Sequence, residues 1–504
     1  MRKDNCIRTI LLAFYLAIGC FWVSAYDFEV DGLCYDLVSM DNKSVCLVRG
    51  ASDYSGDLVI PGTIQVGSYT FTVDSIADNA CYGCYGINSV TICEGVRKIG
   101  KKAFYSTSFN RVSFIKIPKS IEFIGIRCFT CMIPTKVYLA DIASWCKVKF
   151  EDSYLHGNPL SLGINAKDRF GTGVCLIYLG ENHVSDLIIP ENVSQINPVV
   201  FTESNLNSVT FPCSVGNARG FNNSYIKYAY FEEGIDTISG FSGCENLLSV
   251  SIPHSVSVIE PNSFSGCKSL SQLSLNDGLT TIHNNTFSGC TSLPRVVFPE
   301  TIRQIQNNAF ENCSELKSIY LPNVEYIGDY AFDGCAKLDT IVLKTATPPS
   351  IESTTFTTGQ HILTKVYVPV GSKETYQNAD YWKDFANIEE GDPMGSGETP
   401  EIPKCATPSI ITENGKLKFS CETEGVRYVY QAIPVNTTTY DEEEGLLLPS
   451  IYLVTFYATK DGYMNSETVT QEIDVRGIKG DIDEDGKVNI SDVTALIDKL
   501  LSGN

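Results

Sequence analysis

Histidine and methionine occur only five times each in these 504 residues, and charged side chains make up only 19% of them. Five histidines leave few groups for acid–base or metal chemistry near neutral pH. Basic residues are in deficit, with Lys+Arg 38 against Asp+Glu 59 and a formal charge of -21. Such a chain is repelled by phosphate backbones, which argues against a nucleic-acid partner. Signatures of catalysis are missing: there is no G-x-S-x-G, H-E-x-x-H or G-x-x-x-x-G-K-[ST], and no carboxylate pair is marked as a glycosidase pair. The expectation is therefore that the chain is not an enzyme. Apolar runs are short beyond the N-terminus, so no later segment reaches the roughly 20 residues of a transmembrane helix. What is plentiful is apolar and aromatic: 43% of residues are hydrophobic, with Tyr 26 and Phe 25. That suffices to bury a core, and the length implies several units.

The N-terminus reads as an export signal. Arg2, Lys3 and Arg8 precede an apolar stretch from Thr9 to Val23, and Val23-Ser24-Ala25 is a small-residue cleavage signature. Residues 1–25 are the expected signal peptide, giving a secreted or cell-surface protein. A second reading takes Leu16-Ala17-Ile18-Gly19-Cys20 as a lipobox, which would put lipid on Cys20.

Internal self-similarity is strong between residues 235 and 343. Phe241-Ser-Gly-Cys244, Phe264-Ser-Gly-Cys267, Phe287-Ser-Gly-Cys290, Phe310-Glu-Asn-Cys313 and Phe332-Asp-Gly-Cys335 recur with cysteine steps of 23, 23, 23 and 22 residues. An isoleucine precedes each (Ile238, Ile259, Ile282, Ile305, Ile327), and a leucine follows each cysteine three residues on. Two alternating apolar residues come next, as in Leu273/Leu275 and Ile319/Leu321. This spacing lies in the leucine-rich-repeat range. The alternating segment is a short strand, and one repeat cannot bury its inner face alone. Stacking repeats at about 4.8 Å makes a parallel sheet over a continuous core. Pro253, Pro299 and Pro322 follow several strands and end the pairing. Weaker copies run upstream through Ile76, Ile99, Ile124 and Ile196, and the frame is lost between about 135 and 190.

These residues resemble the BspA-type leucine-rich repeats of exported bacterial surface proteins. The resemblance covers 26–390, and implies a mainly β, α/β-type solenoid. Tyr26 to Gly32 looks like the family's opening, and Thr347-Pro348-Pro349 with Tyr381-Trp382-Lys383 looks like its C-terminal cap at about 345–390.

Residues 391–404 are rich in Gly, Pro and acid and read as a linker. From 405 to 475, short alternating runs at Lys416–Phe419, Val426–Tyr430, Tyr452–Tyr457 and Thr468–Ile473 suit a small β-sandwich. It is similar to the accessory sandwich near the C-termini of bacterial glycosidases. The segment 477–504 carries the sharpest chemical motif. Asp481, Asp483, Asp485, Lys487 through its backbone carbonyl, Asn489 and Asp492 supply oxygen at loop positions 1, 3, 5, 7, 9 and 12, with Gly486 at position 6. That is the pattern of an EF-hand calcium loop, and a helix with Val493, Leu496, Ile497 and Leu500 on one face follows. The segment resembles a single dockerin repeat. The resemblance implies one Ca²⁺ and a cohesin-like partner. The lone apolar helix face could equally be covered by the sandwich or by a second copy of the chain.

Nineteen cysteines in an exported chain invite disulfides. The Phe-x-Gly-Cys set, however, occupies one structural position and is expected reduced and buried. Cys81-Tyr-Gly-Cys84 looks like a redox or zinc half-site, yet it aligns with Phe332 to Cys335 of the repeat. Cys405 and Cys421 flank an expected hairpin, where a disulfide is an open alternative.

Two outward columns stand between the inward strand residues. Gln272, Arg295 and Ser318 lie in one, and Val297, Tyr320 and Val342 in the other. Tyr320 is expected at the centre of an exposed apolar patch beside Arg295, the residue types that anchor interfaces. The alternative is plain β-forming surface. The functional expectation is adhesion or recognition of a protein or glycan on this face. The alternative is a non-catalytic scaffold subunit of a carbohydrate-degrading assembly, docked through the dockerin-like segment.

Overall fold

The structure is a computed structural model. It describes residues 26–107, 112–132, 134–151, 158–160, 175–180, 182–391, 405–413, 416–434, 440–441, 445–446, 451–459 and 469–474. Expectations for the signal segment 1–25, for 392–404 of the linker and for the calcium module 477–504 fall outside the described residues. The fold divides into two compact units, Met1–Gly180 and Glu181–Asn504.

The first unit opens on a hairpin. Phe28–Val30 pairs antiparallel with Leu33–Ser39 around Asp31 and Gly32, whose φ angles are 51° and 77°. Asp-Gly suits a turn with two left-handed residues, and that turn matches the twist of the strands it joins. Ser44–Val48 then pairs antiparallel with Leu33–Ser39 and parallel with Tyr69–Ile76, so the cap passes into the solenoid. Two parallel ladders follow. The longer strands are Ser55–Ile60, Gly86–Ile92, Val112–Ile117, Pro134–Leu139 and Leu176–Leu179. Their register aligns Leu58, Val90, Ile115, Val137 and Ile177 in one buried row. Lys98–Ile99, Phe123–Ile124 and Lys149–Phe150 make the second ladder, with the isoleucines inward.

Residues 134–151 correct the expected loss of frame. The strand Pro134–Leu139 is followed by the helix Ile142–Lys147, capped where Asp141 accepts from the Ser144 amide at 2.6 Å. Lys149–Phe150 then falls in register with Phe123–Ile124. The helix, with Trp145 and Cys146 buried, replaces the usual turn, so the turn consensus is absent although the repeat is complete.

The second unit stacks strands from Asp186–Ile188 through Ser208–Phe211, Tyr228–Phe231, Ser249–Ser251 and Gln272–Ser274. A second stretch of sheet runs from Arg295–Val297 through Ser318–Leu321, Thr340–Leu343 and Lys365–Val368 to Asn387–Glu390. The core is a column of rings: Phe241, Phe264, Phe287, Phe310, Phe332 and Phe356 stack at centroid separations of 5.5, 5.6, 5.3, 5.6 and 5.6 Å. The glycine of Phe-x-Gly-Cys is a backbone requirement, since Gly266 and Gly289 sit at φ 75° and 73°. Asn312 holds the same place at φ 61°, which explains the one Glu-Asn variant: asparagine tolerates the left-handed region best after glycine.

The cysteine has its own role. Each Sγ reaches the carbonyl of the preceding repeat's phenylalanine: Cys267 to Phe241 at 3.3 Å, Cys290 to Phe264 at 3.4 Å and Cys313 to Phe287 at 3.3 Å. A thiol is small and apolar enough for the core, yet it adds a second, inter-repeat bond to a carbonyl that already accepts the amide of its own repeat's cysteine, as Phe264 does from Cys267 at 3.2 Å. The C-terminal cap keeps this bond while changing the donor. Gln360 Nε2, on the helix Thr358–Leu363, donates to the Phe332 carbonyl at 3.0 Å and the Cys335 carbonyl at 3.2 Å. Trp382, fully buried, closes the ring column against Phe356 and donates to the Pro349 carbonyl at 2.7 Å.

Beyond residue 405 the described strands are antiparallel. Ser409–Glu413 pairs with Lys416–Ser420, and Ile451–Thr459 lies between Arg427–Pro434 and Val469–Asp474. The four runs expected from alternation fall on strands, and Ser409–Glu413, Tyr440–Asp441 and Gly445–Leu446 are additional ones.

Candidate ligand surface

The sequence-derived patch is corrected by the structure. Register does align Val297 with Tyr320 and Tyr320 with Val342, as the period requires. Arg295 is exposed, while Gln272, Ser318 and Val297 are half-buried. Tyr320, however, is only 8% exposed and Val342 only 1%. The cause is lateral. Val342 has Tyr320 on one side and Tyr367 on the other, so two large side chains one strand away cover a small one. The Lys344 ammonium lies 5.4 Å from the Tyr320 ring centroid. The column is a packed surface layer rather than an open apolar patch.

An open cluster lies instead on the first unit. On its longer-strand sheet, Phe114 is level with Lys136, and Lys116 is level with Tyr138. One strand further, Tyr138 is level with Tyr178. Rings and ammonium groups therefore alternate as a checkerboard over two adjacent strands, and the third strand adds a ring beside Tyr138. Phe114 and Tyr138 meet edge to face at 5.8 Å, and the Tyr138 and Tyr178 centroids are 4.9 Å apart, one strand spacing. Lys116 Nζ lies 5.5 Å from the Phe114 centroid and 5.2 Å from that of Tyr138, and Lys136 Nζ lies 5.1 Å from that of Tyr178. Lys116 is exposed, and the other four are half-buried.

The cations of this face are held on rings, as Lys43, Lys98 and Lys102 are elsewhere in the first unit. A few lysines pair instead with a carboxylate one repeat away, as in Lys268 to Glu245 at 2.8 Å and Lys337 to Glu315 at 2.7 Å. Among the described residues neither Lys116 nor Lys136 has such a partner, and each is held on rings. Aromatic faces attract cations through their quadrupole but leave the ammonium charge unneutralised. Sequence reasoning missed these residues because two of the three strands lie where the consensus fails. The readable signal is the outward pair repeated as Phe114-x-Lys116, Lys136-x-Tyr138 and Leu176-x-Tyr178.

The thiols follow the core reading. Burial pushes Cys244 and Cys290 up to about 12 and raises Cys267 well above its ordinary value. Cys81 and Cys84 are both buried and raised by the same desolvation, and the Cys81 amide makes the bond that phenylalanine makes elsewhere in the repeat. No disulfide joins Cys405 to Cys421. The hairpin register sets Ser409 against Ser420, which carries Cys421 past position 408 rather than 405, and its Sγ donates to the Ala406 carbonyl at 3.1 Å. A groove of about 460 Å³ in the cap runs between Pro348–Ile351 and Thr375–Trp382. Asp380, its acidic wall residue, already pairs with Lys383 at 3.1 Å.

Among the described residues no cluster of three or more His, Cys, Asp or Glu side chains could hold a metal ion, and no helix is long and apolar enough to cross a membrane. The expected calcium ligands, Asp481 to Asp492, lie outside the described residues.

Several proteins of known structure are similar. A leucine rich cell surface protein from Faecalibacterium prausnitzii shares 20% identity over 63% of this chain and 94% of its own, with a TM-score of 0.35. A leucine-rich repeat protein from Bacteroides ovatus shares 20% over 64% and 95%, with a TM-score of 0.31. The pneumococcal vaccine antigen PcpA shares 17% over 72% and 98%, with a TM-score of 0.37. A comparison with curated proteins finds no match. The sequence profile of the BspA type leucine rich repeat region matches in six copies over residues 64–155, 178–268 and 238–363. With more than half of its length matched, the chain belongs to the BspA-type leucine-rich-repeat family.

Proposed function

We propose that this protein is an exported surface recognition protein, not a catalyst, and that it binds a macromolecule on the outward face of its first parallel sheet. The observation that carries this reading is the checkerboard of Phe114, Lys116, Lys136, Tyr138 and Tyr178. Aromatic side chains give large contact area for little lost conformational entropy, and unpaired cations give orientation and rate. A parallel sheet holds such groups rigidly at fixed spacing, which favours recognition over adaptation. Export by cleavage of residues 1–25 supplies the compartment, and the family's surface role supports it.

The test is an array of matrix proteins and glycans probed with the parent and with Tyr138→Ala/Tyr178→Ala. The reading expects at least one ligand whose signal the variant loses. Undiminished binding of every ligand by the variant moves the site off this face.

The C-terminal segment is proposed to hold one calcium ion through Asp481, Asp483, Asp485, the Lys487 carbonyl, Asn489 and Asp492. The donor set fits, because hard oxygen ligands at these spacings are what Ca²⁺ takes, and carboxylates this close repel one another without a cation. Binding would then order the segment and its helix. Calorimetric titration of the full chain against Asp481→Ala/Asp485→Ala decides it: equal heats, or none in the parent, remove the site. A cohesin pull-down tests the alternative role as a scaffold subunit of a carbohydrate-degrading assembly, which rests on the dockerin-like spacing.

A further inference from the structure

We propose that the ligand of the checkerboard face is an acidic polysaccharide whose sugar units carry carboxylates, a uronate-rich glycan. This rests on the recognition reading above and names the chemistry of its partner. Three observations lead to it.

The first is the pairing of rings with uncompensated cations. A uronate unit presents an apolar ring face of C–H groups and, on the same ring, one carboxylate. The face offers the complement at the same scale, since each ammonium sits 5.1 to 5.5 Å from the centroid of the ring beside it. One sugar unit can therefore stack on a ring and place its carboxylate against the adjacent lysine, a charge-assisted contact.

The second is periodicity. Phe114, Tyr138 and Tyr178 lie on three successive strands, so the rings repeat at the sheet spacing and together span about 10 Å. A linear polymer with a repeating ring and charge matches such an array, and each added unit binds as an intramolecular event.

The third is the kind of surface. The rings stand on a sheet face, where backbone N–H and C=O groups are already spent on neighbouring strands. An extended peptide gains most of its affinity by adding to a sheet edge, because its own backbone groups need partners. A glycan lying on the face can leave its outer hydroxyls in water. Against the chain's charge of -21, Lys116 and Lys136, without carboxylate partners among the described residues and beside the rings, give this face a local attraction for an anionic ligand. The acidic side chain on the same outward columns, Asp57, accepts from Ser89 at 2.6 Å and lies two strands from Phe114.

Affinity electrophoresis and calorimetry of the full-length protein with polygalacturonate test the proposal. The comparison ligands are a neutral glucan, a sulfated glycan without uronate, and poly-glutamate. Binding of polygalacturonate should fall as salt rises and should drop at least about tenfold in Lys116→Gln/Lys136→Gln. It should drop similarly in Tyr138→Ala/Tyr178→Ala, with the thermal transition checked in both. Lys268→Gln, which removes a lysine paired to Glu245, should leave binding unchanged. The conservative Tyr138→Phe keeps the ring and should retain most of the affinity. No binding of polygalacturonate, or equal binding by the lysine variant, overturns the proposal. Equal binding of poly-glutamate reduces the site to bare charge and overturns it too, and preference for the sulfated glycan replaces carboxylate by sulfate. If polygalacturonate fails while another array ligand is lost in Tyr138→Ala/Tyr178→Ala, the recognition face stands and the ligand class falls.

Discussion

Replacing Phe287 by alanine removes one ring from the middle of a continuous column. Phe287 is fully buried, with Phe264 at 5.6 Å and 2° on one side and Phe310 at 5.3 Å and 17° on the other. Truncating a buried phenylalanine costs about 3–5 kcal/mol through lost transfer energy and the residual cavity. Two stacking partners are lost at once, each worth about 0.5–1.5 kcal/mol beyond area. Collapse is restricted, because both neighbouring rings are fixed by backbone pairing one repeat away: the Phe310 amide donates to the Ala331 carbonyl and the Phe264 amide to the Thr286 carbonyl, both at 2.9 Å. We therefore expect the upper end, about 4–5 kcal/mol. Phe287→Leu keeps much of the volume and loses only the stacking, so about 1–2 kcal/mol is expected.

A chain of several units does not unfold in two states, so the local readout is hydrogen exchange followed by mass spectrometry. Solenoid coupling is nearest-neighbour, so protection should fall first in the repeats containing Phe264 and Phe310, then in those beyond. Peptides around Phe201 at one end of the column and Trp382 at the other should be the last of the column to respond. Uniform loss of protection across that unit, or none at Phe264 and Phe310, would refute the column as the unit of stability.

Other predictions concern the thiols, the turn and the corrected tyrosine. In native protein Cys267 and Cys290 should resist alkylation while exposed Cys131 and Cys213 are labelled quickly, as peptide mapping would show; fast labelling of Cys290 contradicts the closed core. Burial raises Cys244 and Cys290 from 9.0 to about 12, so the unfolded chain loses these protons first. Their contribution to stability is complete below pH 9 and is lost as pH rises toward 12, so denaturation midpoints should fall across that window and not below it. Gly289→Ala should cost about 1–2 kcal/mol, because φ there is 73°, and Gly289→Asn should cost less, as asparagine is native at Asn312 with φ 61°. Tyr320→Ala should lower stability by about 2–3 kcal/mol and leave ligand binding intact; the reverse pattern would restore Tyr320 as a contact residue.

The repeat was legible in the sequence because a solenoid writes its stacking as a period. Phe241 to Cys335 give the step, and the step fixes which residues stack, down to the level pairing of Tyr320 with Val297 and Val342. The glycine and the cysteine were visible as letters, but their reasons were not: a left-handed φ at Gly289 and a second bond to the Phe264 carbonyl, from the Cys290 thiol of the next repeat, exist only once the chain is coiled. The C-terminal cap shows the same limit, since Gln360 does the work of the next cysteine with no resemblance to it in sequence.

The ligand surface was harder to read, for a reason that lies in how sheets expose side chains. Alternation along a strand decides which way a residue points, and the period sets Tyr320 and Val342 level in one column. Exposure depends on a second dimension, the sizes of the residues level with it on adjacent strands. In this chain those residues are encoded 22 to 25 positions away, with Tyr367 covering Val342 from the next strand. At the checkerboard the separation grows to 40 positions between Tyr138 and Tyr178, across a stretch whose consensus is broken by the helix Ile142–Lys147. A search for function in such a chain therefore has to run across the strands and not along them. Large rings level with small residues bury one another's neighbours. Where Phe114 and Tyr138 stand level with Lys136 and Lys116 instead, rings and cations stay part-exposed, and the proposed recognition face is built from that second arrangement.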